Sequence, residues 1–179
     1  WKERGRVSEF RVPSKGLACG KKWANMTVQE NLLIVTKLIA SLEQQGLSDL
    51  YGYGFDEKPR ACENDIRALF GAMRERFPQV RTMAALNWEK KMPLDMPVSA
   101  WVLRYDLYDE KKTAQWLAQG TDKEMWLYHS IEPSGKKYLN LFIERPLIHS
   151  RLLFWLGALS NIQGWLYWAD NLWMDCPGR

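Results

Sequence analysis

Two carboxylates stand side by side in this sequence. Residues 50–59 read LYGYGFDEKP, so an apolar and aromatic run reaches Phe55 and is followed at once by Asp56 and Glu57. Two neighbouring carboxyls can divide the roles of general acid and charge-stabilising group, if one is kept protonated while the other is ionised. Two solvated acids that start a loop or cap the next helix are the structural alternative. The end of an apolar strand favours chemistry, because the reacting side chains of α/β barrels follow strand ends.

Helices and strands alternate around this pair. Thr27 and Glu30 form a capping box, and apolar residues at spacings of three and four predict a helix that Gly46 closes. The segment 65–77 has the same spacing and stops before Pro78. Further strands are predicted over 80–86, 98–105, 124–131 and 164–168, and further helices over 109–117 and from Pro146 to Asn161. The last of these helices is apolar almost all round, so we expect it to be buried.

Strands that alternate with helices indicate an α/β fold with parallel strands. The chain has neither a GxGxxG fingerprint nor a Walker motif. Acids and aromatics after five strand ends suggest a (β/α)8 barrel, which needs about 250 residues. We therefore predict a partial TIM barrel, about the last five βα units, over 27–179, preceded by an irregular segment, 1–26, with a short strand near 10–12. A smaller, self-sufficient open sheet is the alternative.

Aromatic content is the strongest anomaly of composition, since the chain has ten tryptophans and is 13% aromatic. The rings can form a large core, or they can stack on the apolar faces of sugars, and both can hold. The formal charge is only +4, and the basic residues come as scattered pairs. A nucleic-acid partner would need a basic stripe on one face, so we do not expect one.

The three cysteines, Cys19, Cys62 and Cys176, have no CxxC spacing, and their odd number leaves at least one thiol unpaired within the chain. Asn25-Met26-Thr27 is a glycosylation sequon that matters only in a secreted protein. An extracellular or lysosome-like compartment is favoured, and the oligomeric state stays open. No apolar run is long enough to span a bilayer, so no transmembrane segment is expected.

Four stretches together resemble a known family: YGYGFDEKP (51–59), WLYHSIEPS (126–134), NLFIERPLIHSRLLFWLG (140–157) and GWLYWADNLW (164–173). The chain is similar to the catalytic domain of glycoside hydrolase family 123 over roughly residues 27–173. The resemblance implies a (β/α)8 barrel that acts on terminal β-linked N-acetylgalactosamine with retention of configuration and without a cofactor. It also implies that the adjacent acids Asp56 and Glu57 are the catalytic pair.

Adjacent acids suit a particular mechanism. A retaining glycosidase usually needs two carboxyls about 5–5.5 Å apart, and neighbouring residues at a strand end tend to point in different directions. If the 2-acetamido oxygen of the substrate attacks C1, no enzymic nucleophile is needed. We expect Asp56 to orient the acetamido group and Glu57 to act as general acid and base, with an apolar pocket raising the pKa of the acid.

Substrate-binding residues are expected at other strand ends. Tyr128 is expected to hydrogen-bond the acetamido carbonyl, and His129 is either a sugar contact or a structural residue. Trp168 is expected to stack beneath the sugar or to pack in the barrel, and Asn171 is a further candidate. Weaker candidates that also follow strand ends are Asn87, Trp88, Asp106 and Glu132. No metal site is expected, because His129 and His149 are the only histidines and no ligand cluster accompanies them.

Two other functions remain open beside hydrolysis. A degenerate, non-catalytic barrel fragment could keep its aromatic wall and bind glycans. A structural or interaction domain would use the same aromatics as core.

Overall fold

The structure is a computed structural model, and it describes residues 10–12, 27–47, 51–86, 88, 92–135 and 137–167. Internal contacts divide the chain into two compact units, 1–100 and 101–179. Each unit combines parallel strands with helices, and each is described by itself.

The first unit carries three strands and two helices: β1 (Phe10–Val12), α1 (Val28–Gln44), β2 (Tyr51–Asp56), α2 (Glu63–Arg76) and β3 (Arg81–Leu86). The strand order is β1-β2-β3. All of these strands run parallel, with Phe10 opposite Tyr51 and Asp56 opposite Ala85. A short turn of 3-10 helix, Arg60–Cys62, leads into α2.

Helix α1 begins where the sequence predicts. The Thr27 hydroxyl accepts a hydrogen bond from the Glu30 backbone N–H at 3.2 Å, and the Glu30 carboxylate accepts one from the Thr27 backbone N–H at 2.7 Å. Two backbone donors of the first turn are thereby satisfied. Gly46 lies just beyond the helix with a φ of 65°, which glycine adopts without steric cost.

The second unit begins with β4 (Ala100–Arg104), whose first residue closes the first unit. It continues with α3 (Glu110–Leu117), β5 (Glu124–His129), α4 (Ile148–Leu159) and β6 (Gly164–Tyr167). Strands β5 and β6 are parallel, with Trp126 opposite Gly164 and His129 opposite Tyr167. Asp109 caps α3 by accepting a hydrogen bond from the Lys112 backbone N–H.

Aromatic and aliphatic side chains bury the helices against the strands. In the first unit Phe55 of β2 meets Phe70 of α2, with 5.4 Å between ring centroids. In the second unit Trp101 of β4 meets Trp116 of α3 edge-on at 6.1 Å. All four of these side chains are fully buried. Such pairs add to the burial of apolar area.

The expectation that the helix ending near Asn161 is buried is wrong. Only Leu153 and Gly157 of α4 are buried, whereas Phe154 and Trp155 are 68% and 71% exposed. A helix that is apolar on every side can bury any of its flanks, so the pattern does not show which flank is covered. In the described part of the chain only one narrow stripe is.

The predicted fold class is confirmed: parallel strands alternate with helices, as in part of a (β/α)8 barrel. The five predicted strands are present within a few residues of their expected bounds. The short strand expected near 10–12 is present as well and pairs with β2.

Candidate functional site

The Asp-Glu pair lies at the carboxyl end of β2. Asp56 is the last residue of the strand and lies opposite Ala85 of β3. The backbone N–H of Glu57 donates to the carbonyl oxygen of Ala85 at 2.7 Å, so the next residue is still tied to the sheet. Glu57 is exposed. The pair therefore occupies the edge at which α/β barrels carry their chemistry.

Glu57 has an unusual backbone conformation. Its φ is 41°, in the left-handed region that side chains other than glycine disfavour. Such strain persists only where the surroundings impose it, and it is frequent at functional sites. In this chain the conformation turns the backbone sharply where the strand ends, so Asp56 and Glu57 do not continue the regular alternation of a strand.

The loop after the pair is held from two sides. The indole N–H of Trp88 donates to the carbonyl oxygen of Lys58 at 2.7 Å. Cys62 is fully buried and disulfide-bonded. Cys19 and Cys176 lie outside the described residues. Trp88, a weaker candidate from the sequence, therefore anchors the loop that follows the two carboxylates.

In the second unit Tyr128 and His129 lie on opposite faces of β5, because successive strand residues alternate. A Cβ added to Gly157 of α4 would lie 3.8 Å from the Trp165 ring, so Trp165 lies on the helix side of its strand. In the register between β5 and β6, Trp165 lies opposite Leu127, and Tyr167 lies opposite His129. Leu127 and His129 therefore face the helix side, and Tyr128 faces the inner side of the barrel wall.

His129 is a buried, neutral base. The Trp165 indole N–H donates to His129 Nδ1 at 2.6 Å. An indole only donates, so Nδ1 carries no proton and the ring proton sits on Nε2. Burial lowers the pKa of His129 to about 4. The Nε2 atom finds no hydrogen-bond partner within the described part of the chain.

Tyr128 and His129 are both shielded from solvent, since Tyr128 is 4% exposed and His129 is fully buried. Tyr128 faces the inner side near the carboxyl end of β5, the end of the strands at which a barrel binds its substrate, whereas His129 faces the helix side. The geometry of His129 suits a supporting role for Trp165 and Tyr167, whose rings lie 5.6 Å and 4.9 Å from the imidazole.

A further polar group lies at the end of β4. The Arg104 guanidinium donates from Nε to Asp106 Oδ1 at 2.6 Å and from Nη2 to Asp106 Oδ2 at 3.0 Å. These hydrogen bonds, which outweigh the opposing effect of burial, raise the pKa of Arg104, and the negative charge of Asp106 adds to the rise. Asp106 was a weaker candidate from the sequence and Arg104 was missed. The sequence does contain a signal for this pair, because an Arg and an Asp stand two residues apart at a predicted strand end.

Several predicted residues lie wholly or partly outside the described part of the chain. Of Asp56 the structure describes the backbone, and Trp168 and Asn171 lie outside the described residues, as does Asn87. Within the described ranges, no group of three His, Cys, Asp or Glu side chains could hold a metal ion. None of the helices found in those ranges has both the length and the apolarity to cross a membrane.

Comparison with known proteins places the chain in a family. The model of the glycoside hydrolase 123 catalytic domain matches residues 18–179. A search of the curated proteins gives no match.

Among solved structures, a family 123 glycoside hydrolase from Clostridium perfringens, described for glycolipid glycan hydrolysis, matches with a TM-score of 0.63 at 13% identity. The match covers 80% of this chain and 25% of that one. A putative α-L-fucosidase from Bacteroides thetaiotaomicron VPI-5482 gives a TM-score of 0.41 at 8% identity, over 79% of this chain and 56% of that one.

The first of these structures supports the fold, and the second is too distant to support an argument. This chain spans about a quarter of the length of the Clostridium enzyme. The family match covers nearly the whole sequence, including every strand and helix from α1 to β6. The chain therefore belongs to the glycoside hydrolase family 123 catalytic domain.

Proposed function

We propose that the protein hydrolyses terminal β-linked N-acetylgalactosamine with retention, using the 2-acetamido group of the substrate as the nucleophile. The observation that supports this most is the Asp56–Glu57 pair at the carboxyl end of β2 in a chain of this family. The substrate class is a glycan or glycolipid that ends in this sugar. The Clostridium relative, which is described for glycolipid glycan hydrolysis, belongs to the same family.

In the first step the acetamido oxygen attacks C1 and the bond from C1 to the glycosidic oxygen breaks. Glu57 gives its proton to that leaving oxygen, so the aglycone departs neutral. Asp56 orients the acetamido N–H and balances the positive charge that develops on the resulting oxazolinium ring. In the second step Glu57, now ionised, takes a proton from water as the water attacks C1, and the acetamido group is restored.

The backbone at Glu57 supports this division of roles. Two carboxyls on consecutive extended residues would point to opposite faces of the sheet. The left-handed φ of 41° at Glu57 breaks that alternation directly after Asp56. A strained conformation at a residue with an exposed carboxylate is expected where the side chain has a task that a relaxed backbone would not allow.

Substrate binding is assigned to residues at the other strand ends. Tyr128 is proposed to donate to the acetamido carbonyl, and its position on the face away from α4 supports this. Trp168 is proposed to stack on the sugar and Asn171 to hydrogen-bond it. His129, which the sequence left as either a sugar contact or a structural residue, is better suited to hold Trp165 and Tyr167, because it lies on the helix side and its Nδ1 accepts the Trp165 indole N–H.

The isolated 179 residues are proposed to lack activity, because they correspond to only a quarter of the Clostridium enzyme. The same coverage keeps a second function open, that of a non-catalytic glycan-binding fragment. Turnover of a chromogenic N-acetylgalactosaminide by the complete protein, and by the 179 residues alone, separates these cases. Binding without turnover in the complete protein favours the second function.

The acid role of Glu57 is tested with Glu57→Gln in the complete protein. We expect turnover to fall by about 10²–10⁴, the usual contribution of a positioned general acid. The loss should shrink for a dinitrophenyl glycoside, whose leaving group needs no proton. Equal losses for good and poor leaving groups would remove Glu57 from the acid role.

A further inference from the structure

Helix α4 carries an exposed apolar stripe. Its residues follow one another at spacings of four, three and four, and they are Ile148, Leu152, Trp155 and Leu159. Their exposed fractions are 51%, 39%, 71% and 85% in that order. At 3.6 residues per turn these spacings align the four side chains along one side of the helix, and we call them the α4 stripe. The spacing is that of a coiled-coil seam, in which each apolar side chain packs into a partner helix.

The α4 stripe points away from the strands. Leu153 and Gly157 are the buried residues of the helix, and a Cβ added to Gly157 would lie 3.8 Å from the Trp165 ring of β6. The stripe lies on nearly the opposite side of the helix from these two residues. Neighbouring helices of a (β/α)8 barrel contact one another along their flanks, and the side opposite the strands faces outwards. Further helices of a barrel would therefore leave the stripe uncovered.

The apolar surface around the stripe is large. Leu147 and Phe154 extend it, with exposed fractions of 91% and 68%. With the stripe they present roughly 400–700 Å² of apolar surface, taken from the usual area of such side chains. The largest apolar patch of a typical monomer is about 300–600 Å², and a stable interface buries about 800 Å² on each partner. The surface of α4 thus supplies half or more of the area that a dimer needs.

The charge of α4 decides how a second copy can approach. Arg151 is the only residue of this helix that is Lys, Arg, Asp or Glu. In a parallel pair the two arginines would lie at the same height and repel each other. In an antiparallel pair centred between Leu152 and Trp155, they are offset by five residues along the axis. With helix axes about 8–10 Å apart, the two Arg151 positions are then roughly 11–13 Å apart, beyond the screening length of about 8 Å at physiological salt.

We propose that two copies of the chain associate through the α4 stripe, with their α4 helices antiparallel about a two-fold axis. Ile148 of one copy then packs against Leu159 of the other, and Leu152 packs against Trp155. One surface serves both subunits, as a two-fold contact requires. A lipid surface is the poorer match, because helices that lie in a membrane interface are rich in Lys and Arg, and α4 has only Arg151. This association does not depend on the proposed hydrolysis.

Sedimentation velocity of the complete protein over a range of concentrations measures the dimer Kd. The disruptive variant is Trp155→Glu, and the matched control is Leu33→Glu. Leu33 is 57% exposed on α1, where no other large apolar side chain is exposed. We expect Trp155→Glu to raise the dimer Kd at least about 30-fold, because a tryptophan at the centre of an interface dominates its affinity. Leu33→Glu should leave the Kd within about threefold, and circular dichroism shows whether each variant folds.

A double variant tests the antiparallel alignment. Ile148→Lys and Leu159→Glu should each weaken the dimer, and together they should place opposite charges against each other across the two-fold axis. The two positions lie about 16 Å apart along one helix, so the introduced charges do not pair within one copy. The loss of affinity in the double variant should therefore be smaller than the product of the two single losses.

A weakened Trp155→Glu dimer beside an unchanged Leu33→Glu dimer supports the proposal. A monomeric wild type overturns it, whether the stripe is then covered by another segment of the complete protein or binds lipid vesicles. A dimer that persists unchanged in Trp155→Glu also overturns it, because the contact then lies elsewhere. A double variant whose loss equals the product of the single losses overturns the antiparallel alignment.

Discussion

Replacement of Glu57 by glycine should stabilise the protein while greatly lowering its turnover. Glu57 has a φ of 41°, and its backbone N–H donates to Ala85, a bond that glycine keeps. A side chain in the left-handed region costs roughly 1–2 kcal/mol, and glycine avoids most of this cost. The Glu57 carboxylate is exposed, and exposed charges contribute at most about 1 kcal/mol to stability. The net gain should be about 1 kcal/mol.

For a chain of this size a gain of about 1 kcal/mol raises Tm by roughly 2–4 °C. Glu57→Gln removes the charge but keeps the strain, so its Tm should stay near that of the wild type. Both variants should lose turnover by about 10²–10⁴. Calorimetry on the 179-residue chain gives the change in Tm, and a chromogenic substrate assayed with the complete protein gives the change in turnover.

Asn161 provides the matched control. It also has a positive φ, 52°, but it lies beyond α4 and outside the proposed site. Asn161→Gly should leave turnover unchanged and stabilise by less, because asparagine tolerates this conformation better than glutamate. If Glu57→Gly proves less stable than Glu57→Gln, the backbone conformation at Glu57 is not strained.

Four further substitutions test the packing of the strands and helices, the cap of α1 and the buried histidine. Gly54→Ala should destabilise the first unit and lower turnover, because the added Cβ would lie 2.7 Å from the Met83 carbonyl oxygen. At Gly71 on α2 an added Cβ meets nothing within 4 Å, so Gly71→Ala should stabilise the protein by about 0.5–1 kcal/mol in calorimetry. Thr27→Ala should cost about 1 kcal/mol in urea unfolding through loss of the capping box. His129 has a folded pKa of about 4, below its unfolded value of 6.5, so its contribution is present above pH 6.5 and lost as the pH falls towards 4. His129→Gln should remove about 3 kcal/mol of that pH dependence, measured as unfolding free energies at several pH values, and an unchanged pH profile would contradict the buried neutral imidazole.

The elements of this fold were predictable because their signals are local. Thr27 and Glu30 mark the start of α1 through their own hydrogen bonds, and the apolar residues of α2 recur at the helical period. The segment FRV at 10–12 is short, yet it was expected as a strand and is one. The carboxylates were placed correctly at a strand end, because DEKP follows directly on a run of strand-forming residues.

What could not be predicted depends on contacts between distant residues. Trp165 fixes the tautomer of His129 across 36 positions of sequence, and nothing near His129 indicates it. Strand alternation shows that Tyr128 and His129 lie on opposite faces of β5. Which of the two faces the helices is known only once α4 is seen to pack on the side of Trp165. The exposure of Phe154 and Trp155 shows the same limit, since an all-apolar helix does not indicate its buried flank.

One comparison of rates decides whether the substrate supplies its own nucleophile. The complete protein is assayed with 4-nitrophenyl β-N-acetylgalactosaminide and with the corresponding 2-hydroxy galactoside, and intact-protein mass spectrometry searches for a glycosylated enzyme in both reactions. We predict rapid cleavage of the acetamido substrate, essentially none of the 2-hydroxy substrate, and no covalent adduct. Efficient cleavage of the 2-hydroxy substrate, or a sugar attached to Asp56, would show instead that Asp56 is an ordinary carboxylate nucleophile.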